Sequence, residues 1–286
     1  MNTATLTEIV KNEVRQRGAK EVGIASIDRF EGAPKGHHPC DYIPGAKSVI
    51  VALMPIASGL MGWNSFMADS EMVPEHEIYS RPDGKEQPWS PRTTLRKHIE
   101  RRCSYEVVNM DLQSISMHTA ILLEDFGYRS VYLPTTYGMT LSWPGNFIWD
   151  FPKMKSAGGP FSHRHAAVAA GLGQLGRNNL FMTEKHGPRV RLVSIITEAE
   201  LEPDPQITKP ICLGEKCNIC VKSCPSKAFS SENILKYNVG ETRIEVCTMN
   251  KENCRNFYKD SSYGEQCGRE CMTSCPLSRK LRKPEL

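Results

Sequence analysis

The sequence predicts a mixed α+β domain followed by a small cysteine-rich domain. Three observations predict it. In residues 1–204, apolar positions recur at helical spacing in some segments and run continuously or alternate in others. All but Cys40 and Cys103 of the eleven cysteines lie between Cys212 and Cys275. Between the two regions, Pro203-Asp204-Pro205 reads as a linker. The boundaries are therefore 1–204 and 205–286.

The elements follow in order. Leu6, Ile9, Val10 and Val14 share one helical face, with Thr5 and Glu8 as a capping box and Gly18 as the stop. Glu21 to Ile27 reads as a strand, and His37 to Ala46 as a loop. Ser48 to Met54 is almost continuously apolar, as a buried central strand is. Residues 57–92 are rich in Gly, Pro and Trp with no period, which is the pattern of a lid or binding loop. Thr93 to Asp125 is mostly helical. Ser130 to Leu133 is a strand, and Tyr137 to Gly159 is a loop carrying Trp143, Phe147, Trp149 and Phe151. His163 to Ala170 is helical. Arg189 to Thr197 is a strand with Val190, Leu192, Ser194 and Ile196 on one face.

The cysteine pattern carries the chemistry. It reads Cys212-x4-Cys217-x2-Cys220-x3-Cys224-Pro225, then Cys254, then Cys267-x3-Cys271-x3-Cys275-Pro276. Two Cys-x3-Cys-Pro endings mark a two-cluster ferredoxin module. Three neighbouring thiolates hold one [4Fe–4S] cube, and the cysteine before the proline ligates the other. One cluster then takes Cys212, Cys217, Cys220 and Cys275. The other takes Cys224, Cys254, Cys267 and Cys271, with Cys247 able to replace Cys254. Zinc sites use Cys-x2-Cys too, but have no use for a doubled Cys-Pro ending. A disulfide framework requires an oxidising compartment and is at odds with an odd cysteine count.

Gly171-Leu-Gly173-Gln-Leu-Gly176 matches a dinucleotide fingerprint by letter. A fingerprint follows a strand and opens a helix. Here the preceding His165-Ala-Ala-Val-Ala-Ala170 reads as the end of a helix, so the glycines read as a helix stop with close backbone packing.

The longer run from Phe161 through Gly171-Leu-Gly-Gln-Leu-Gly-Arg177-Asn178-Asn179-Leu180, with Gly187-Pro-Arg-Val-Arg-Leu192, resembles the reductive dehalogenases. It is similar, less closely, to epoxyqueuosine reductase. Gly36-His-His-Pro39, Pro44-Gly45-Ala-Lys-Ser-Val-Ile50 and Cys254-x-x-Phe-Tyr258 carry the same resemblance, and the last favours Cys254 over Cys247. The resemblance implies a nitroreductase-like domain that binds cobalamin base-off, followed by a ferredoxin-like domain that reduces the cobalt. The Asp-x-His-x-x-Gly motif of corrinoid proteins with an axial histidine is absent, which agrees. It assigns cofactor contacts to Gly171, Gly173, Gly176, Arg177, Asn178 and Asn179. Proton donors come from Tyr132, Tyr137, His163 and His165, with Tyr137 and His163 as the catalytic choice. The aspartate of epoxyqueuosine reductase falls at Ala157, which argues against that substrate. Two alternatives share the pattern: an iron–sulfur flavoenzyme using FMN, and an electron-transfer protein that reduces a partner's cobalt.

The net charge of +4 is too small to suggest nucleic acid, so the expected partners are a small-molecule substrate and a low-potential electron donor such as ferredoxin or flavodoxin. Met1 to Arg17 shows no signal pattern, and no apolar run is long enough for a membrane span. The expected location is cytoplasmic.

Overall fold

The computed structural model of the chain describes residues 2–60, 77–80, 86–89, 99–135, 161–254 and 269–279. Helix α1 (Thr3–Gln16) buries Leu6, Val10 and Val14, the face its spacing predicts. Its cap differs from the expected capping box. Asn2 Oδ1 accepts from the Thr5 N–H at 2.8 Å, so Thr5 lies inside the first turn. Gly18, at φ 110°, ends the helix.

Strands β1 (Glu21–Ser26) and β2 (Ser48–Pro55) follow, then a hairpin of β3 (Glu77–Ser80) and β4 (Glu86–Trp89). A π-helical stretch, Ile99–Glu106, leads into α2 (Val107–Asp125). Next come β5 (Ser130–Tyr132), α3 (His163–Ala169), the short β6 (Gln174–Leu175) and β7 (Phe181–Met182), and β8 (Val190–Thr197). The main sheet has the order β1-β2-β8-β5, and all its pairings are antiparallel.

The sheet is covered on both faces. In β2, Val49, Val51 and Leu53 pack towards α3, while Ile50 and Ala52 pack towards α1 and α2. Alternate side chains of a strand point to opposite faces, so a strand covered twice must be apolar throughout. The same holds for β8. Leu192 and Ile196 join the first core and Val193 and Ile195 the second, where the sequence pattern suggests one buried face. Each such side chain contributes about 1.5–3 kcal/mol through burial. No helix among the described residues is long and apolar enough to cross a membrane.

The cysteine-rich region contains α4 (Ile219–Lys222), a hairpin of β9 (Phe229–Val239) and β10 (Thr242–Met249), α5 (Arg269–Thr273) and α6 (Pro276–Arg279). The hairpin is absent from the sequence reading. Val239, Ile244 and Val246 join the core cluster that contains α3.

The Pro203–Pro205 stretch is bound to the sheet's edge rather than loosely spanning a gap. Asp204 exchanges two hydrogen bonds with the backbone of Ile24, both 2.9 Å. Its carboxylate also takes Lys11 Nζ at 2.6 Å, and Arg29 holds its carbonyl at 2.7 Å. Gln206 Nε2 donates to Val168 and Val239 carbonyls, and Gln174 pairs with the backbone of Ile207 and Ile211. Asp204→Ala strands the Ile24 N–H and leaves Lys11 unpaired in a partly buried site. A loss of about 1–3 kcal/mol is expected in denaturant unfolding, and an unchanged midpoint refutes this role.

Candidate metal and cofactor site

The chain from Cys212 to Cys224 is wound tightly by residues suited to it. Gly214, at φ 58°, opens a 3₁₀ turn at Gly214–Lys216, and the Cys217 N–H closes it on the Gly214 carbonyl at 3.1 Å. Asn218 adopts the left-handed conformation at φ 49° before α4, a position asparagine tolerates. Cys220 sits on α4, and Cys224 just beyond its end.

This winding brings Cys212, Cys217, Cys220 and, from the far end of the module, Cys275 into one neighbourhood. Burial pushes the Cys220 thiol up to about 12, and the charges of Cys212, Cys275 and Cys217 push it the same way. Burial also raises Cys275, with Cys212 and Cys217 adding to it. The backbone N–H groups of Leu277 and Ser278 oppose that rise by donating to its sulfur. The Gly214 N–H donates to Cys212 Sγ at 3.5 Å. These four are the residues the spacing groups around one cluster.

Of the other four, Cys224, Cys254 and Cys271 are described, and Cys267 lies outside the described residues. Cys224 Sγ accepts from the Ala228 N–H at 3.4 Å. The Asn250 N–H donates to the Ala228 carbonyl at 2.8 Å, and Cys254 closes a turn on Asn250, which ties the Cys254 turn to the Cys224 loop. Helix α5, carrying Cys271, packs on α4. Cys247 instead lies buried on β10, near Cys212. Burial raises its thiol, while the Arg177 guanidinium beside it pulls the other way.

No disulfide joins any two of the ten described cysteines. No group of three or more His, Cys, Asp or Glu among the described residues is spaced for a single metal ion. A four-iron cube places each thiolate on its own iron, so its ligands stand further apart than a single ion's. The crowded thiols with N–H donors on their sulfurs fit such a cube.

The glycine run sits between the two regions. Gly171, at φ 71°, ends α3, and a Cβ there would meet the Pro205 carbonyl oxygen at 2.1 Å. A Cβ on Gly173 would meet the Met182 carbonyl oxygen at 2.2 Å. The run therefore follows a helix and enters a hairpin, unlike a dinucleotide fingerprint. Gly176 closes that hairpin: its N–H donates to the Leu180 carbonyl and its carbonyl accepts from Asn179, each at 2.9 Å.

The hairpin tip meets the cysteine region. Asn178 Nδ2 donates to the Cys271 carbonyl at 2.8 Å, and Asn179 Nδ2 to the Cys247 carbonyl at 2.6 Å. The Cys247 N–H donates to the Arg177 carbonyl at 2.9 Å. Arg177, Asn178 and Asn179 are thus brought to the cysteines as one group.

Tyr137 and Ala157 lie outside the described residues, as do most of residues 57–92 and all of residues 137–151. His163 is buried, with Nδ1 2.9 Å from Ser194 Oγ and Nε2 2.8 Å from the Pro134 carbonyl. Nε2–H therefore donates to Pro134 and Nδ1 accepts from Ser194, and burial holds the ring's pKa below its usual value. Tyr132 is about two fifths exposed on the edge strand. His165 bridges Ser162 Oγ at 2.6 Å and Tyr237 Oη at 2.9 Å. Tyr237 and the Gln174 and Gln206 clamps escape the sequence reading. The alternation of Leu235, Tyr237 and Val239 along β9 is the signal for the first.

No family model matches the chain. It is 46% identical over 251 residues to a tetrachloroethene reductive dehalogenase of Desulfitobacterium hafniense, covering 79% of this chain and 39% of that protein. The chain thus spans about two fifths of that relative's length. A reductive dehalogenase structure described in terms of B12-dependent dehalogenation superposes with TM-score 0.60 over 98% of this chain and 32% of the other, at 17% identity. An epoxyqueuosine reductase structure with an epoxyqueuosine-modified tRNA stem loop gives TM-score 0.56 over 97% of this chain and 66% of the other, also at 17% identity. The class is a mixed helix-and-sheet fold shared with these oxidoreductases. Within it, the chain is a homologue of the reductive dehalogenases and epoxyqueuosine reductases.

One expectation is overturned. The small net charge led to a small-molecule substrate and no nucleic acid. An epoxyqueuosine reductase of this fold is seen with an epoxyqueuosine-modified tRNA stem loop, so the net charge does not exclude a nucleic-acid substrate. Phosphate binding depends on local clusters of cations, and a net charge of +4 says little about them.

His165 gives a pH prediction. Burial, then the Arg164 charge, lowers its pKa from 6.5 to about 4. The unfolded chain therefore binds the extra proton first, so stability is full above the unfolded value and falls as pH drops towards 4. His165→Gln is expected to flatten the stability profile in that window. Parallel wild-type and variant profiles contradict this.

Proposed function

We propose that the chain is a reductase of the reductive dehalogenase kind that works with two [4Fe–4S] clusters and base-off cobalamin. In this reading residues 1–204 form a nitroreductase-like cofactor and substrate domain, and residues 205–286 a ferredoxin-like domain. The observation that carries it is the β6–β7 hairpin, whose glycine-rich stem abuts α3 and whose tip grips the cysteine region. A cofactor held against residues 171–179 would lie beside the clusters. When bound, cobalamin supplies a cobalt that, once reduced, acts on the substrate.

The chain's own residues would act as follows. Gly171 and Gly173 let the Pro205 and Met182 carbonyls approach where a Cβ would block them, which would shape the floor along residues 171–179. Arg177, Asn178 and Asn179 fix the distance between the two domains. Cys212, Cys217, Cys220 and Cys275 hold one cluster, and Cys224, Cys254, Cys267 and Cys271 the other. Tyr137 is the proton donor, its phenol giving a proton to the reduced product. His163 positions the segment leading to it, through the Pro134 carbonyl. The relatives' names carry two substrates, tetrachloroethene and an epoxyqueuosine-modified tRNA stem loop, and both are assayed below.

Anaerobic reconstitution with iron, sulfide and hydroxocobalamin tests the reading. About eight iron and eight sulfide per chain are expected, with a Co(II) EPR signal lacking axial nitrogen splitting. Stoichiometric zinc, or tight FMN with no retained cobalamin, overturns it. Cys254→Ser should lose one cluster, and Cys247→Ser should keep both.

Turnover is then assayed with tetrachloroethene and with epoxyqueuosine-modified tRNA. On the accepted substrate, Tyr137→Phe is expected to slow turnover by about a hundred- to ten-thousand-fold with full metal content. An undiminished rate removes Tyr137 from the mechanism.

A further inference from the structure

We propose that the Arg177 guanidinium donates to sulfur of the cluster held by Cys212, Cys217, Cys220 and Cys275, and thereby raises that cluster's reduction potential. The inference rests on the iron–sulfur reading above and adds a tuning residue to it.

Arg177 is only 4% exposed. Its Nε and Nη2 have no hydrogen-bond acceptor among the described residues. Its Nη1 stands 3.7 Å from Glu215 Oε1, but the Glu215 side chain is 79% exposed and well screened by water. A guanidinium stays charged in a protein, and a buried cation with unused donors is costly. The cost falls if the donors face an anion.

The surroundings name that anion. Glu215 lies inside the Cys212–Cys217 loop, so the ion pair sets the guanidinium against the loop that would wrap the cluster. Cys247 lies beside it: its sulfur accepts a side-chain hydrogen bond from Arg177, and its thiol feels the charge of Cys212, which places the guanidinium's remaining donors next to the cysteine loop. The hydrogen bonds from Asn178, Asn179 and Cys247 fix the hairpin tip, so the guanidinium is held in place rather than free to swing into solvent. A four-thiolate cluster carries net negative charge. Its reduction takes up one electron from the titrant, adds one negative charge, and makes or breaks no bond. A fixed cation beside it stabilises the reduced form more than the oxidised one.

The test is an EPR-monitored redox titration of the reconstituted full chain, with dithionite as reductant. Arg177→Gln should lower one cluster potential so that its reduced fraction at fixed potential falls about tenfold, which is about 59 mV for a one-electron couple. The other potential should hold, and Arg177→Lys, which keeps the charge, should restore most of the shift. Two unchanged potentials, an equal fall in both, or lysine no better than glutamine overturns the proposal. Wild-type chain carrying nitrogen-15 in its arginine guanidinium groups provides a second measurement that needs no variant. The reduced cluster should show coupling to that nitrogen in ENDOR, and no coupling overturns the proposal. Iron and sulfide content of the wild type separates this outcome from failure of the iron–sulfur reading itself.

Discussion

Four thiols drawn into one neighbourhood repel one another once ionised, and the rest of the structure depends on how that repulsion is held. Without metal, Cys220 is pushed up to about 12, so its thiol keeps its proton at neutral pH. Metal binding needs thiolates, so assembly of the proposed cluster would release protons and supply the missing positive charge. The polypeptide supplies part of the compensation beforehand, through backbone N–H groups at Cys212, Cys224 and Cys275. These donors stay in place only if the turns that carry them are fixed. That is why so much of the chain around the cysteines is anchored to the sheet rather than to itself.

The anchoring runs through two glycines and two glutamines. At Gly171 and Gly173 a methyl group would strike carbonyl oxygens, so α3 can stop against the strap at Pro205 and the hairpin can close on Met182. Gln174 and Gln206 then use both ends of their amides to hold the strap and the β9–β10 turn. A buried amide left half-paired costs more than it gains, and these satisfy donor and acceptor alike. The result is a short, stiff connection between the sheet and the cysteines, with no free linker in it.

Much of this was legible from sequence. The nearness of Cys212, Cys217, Cys220 and Cys275 is what the spacing leads one to expect, since a cube takes three thiolates from one loop and a fourth from the distant Cys-Pro end. Strand β2 follows from its unbroken apolar run, and α1 from its helical stripe. Other features depended on partners that spacing cannot reveal. The Thr5–Glu8 pair makes a sound capping box by letter, but Asn2 reaches the free amide one turn earlier. Strand β8 shows alternation in sequence, yet it is covered on both faces once α1, α2 and α3 pack. Residues 229–249 were missed as strands because β9 mixes charged and polar residues with its few apolar ones, and only pairing with β10 makes it regular. Pro203-Asp204-Pro205 looks like a linker by composition. Its binding rests on one carboxylate meeting the Ile24 amide from far along the chain.

The departure of Cys212-x4-Cys217 from a two-residue spacing has a physical counterpart. Two further residues between these cysteines make room for the Gly214–Lys216 turn, and the left-handed Gly214 sets its direction. That turn carries Glu215 to Arg177. With the shorter spacing no residue would stand there, and the guanidinium would face the cysteines without a counter-charge. The longer loop therefore moderates the field of a buried cation with a carboxylate that is itself mostly in water. An exposed carboxylate is screened and can only weaken the cation's effect, not cancel it. The loop length thus decides whether a carboxylate stands against the buried guanidinium at all.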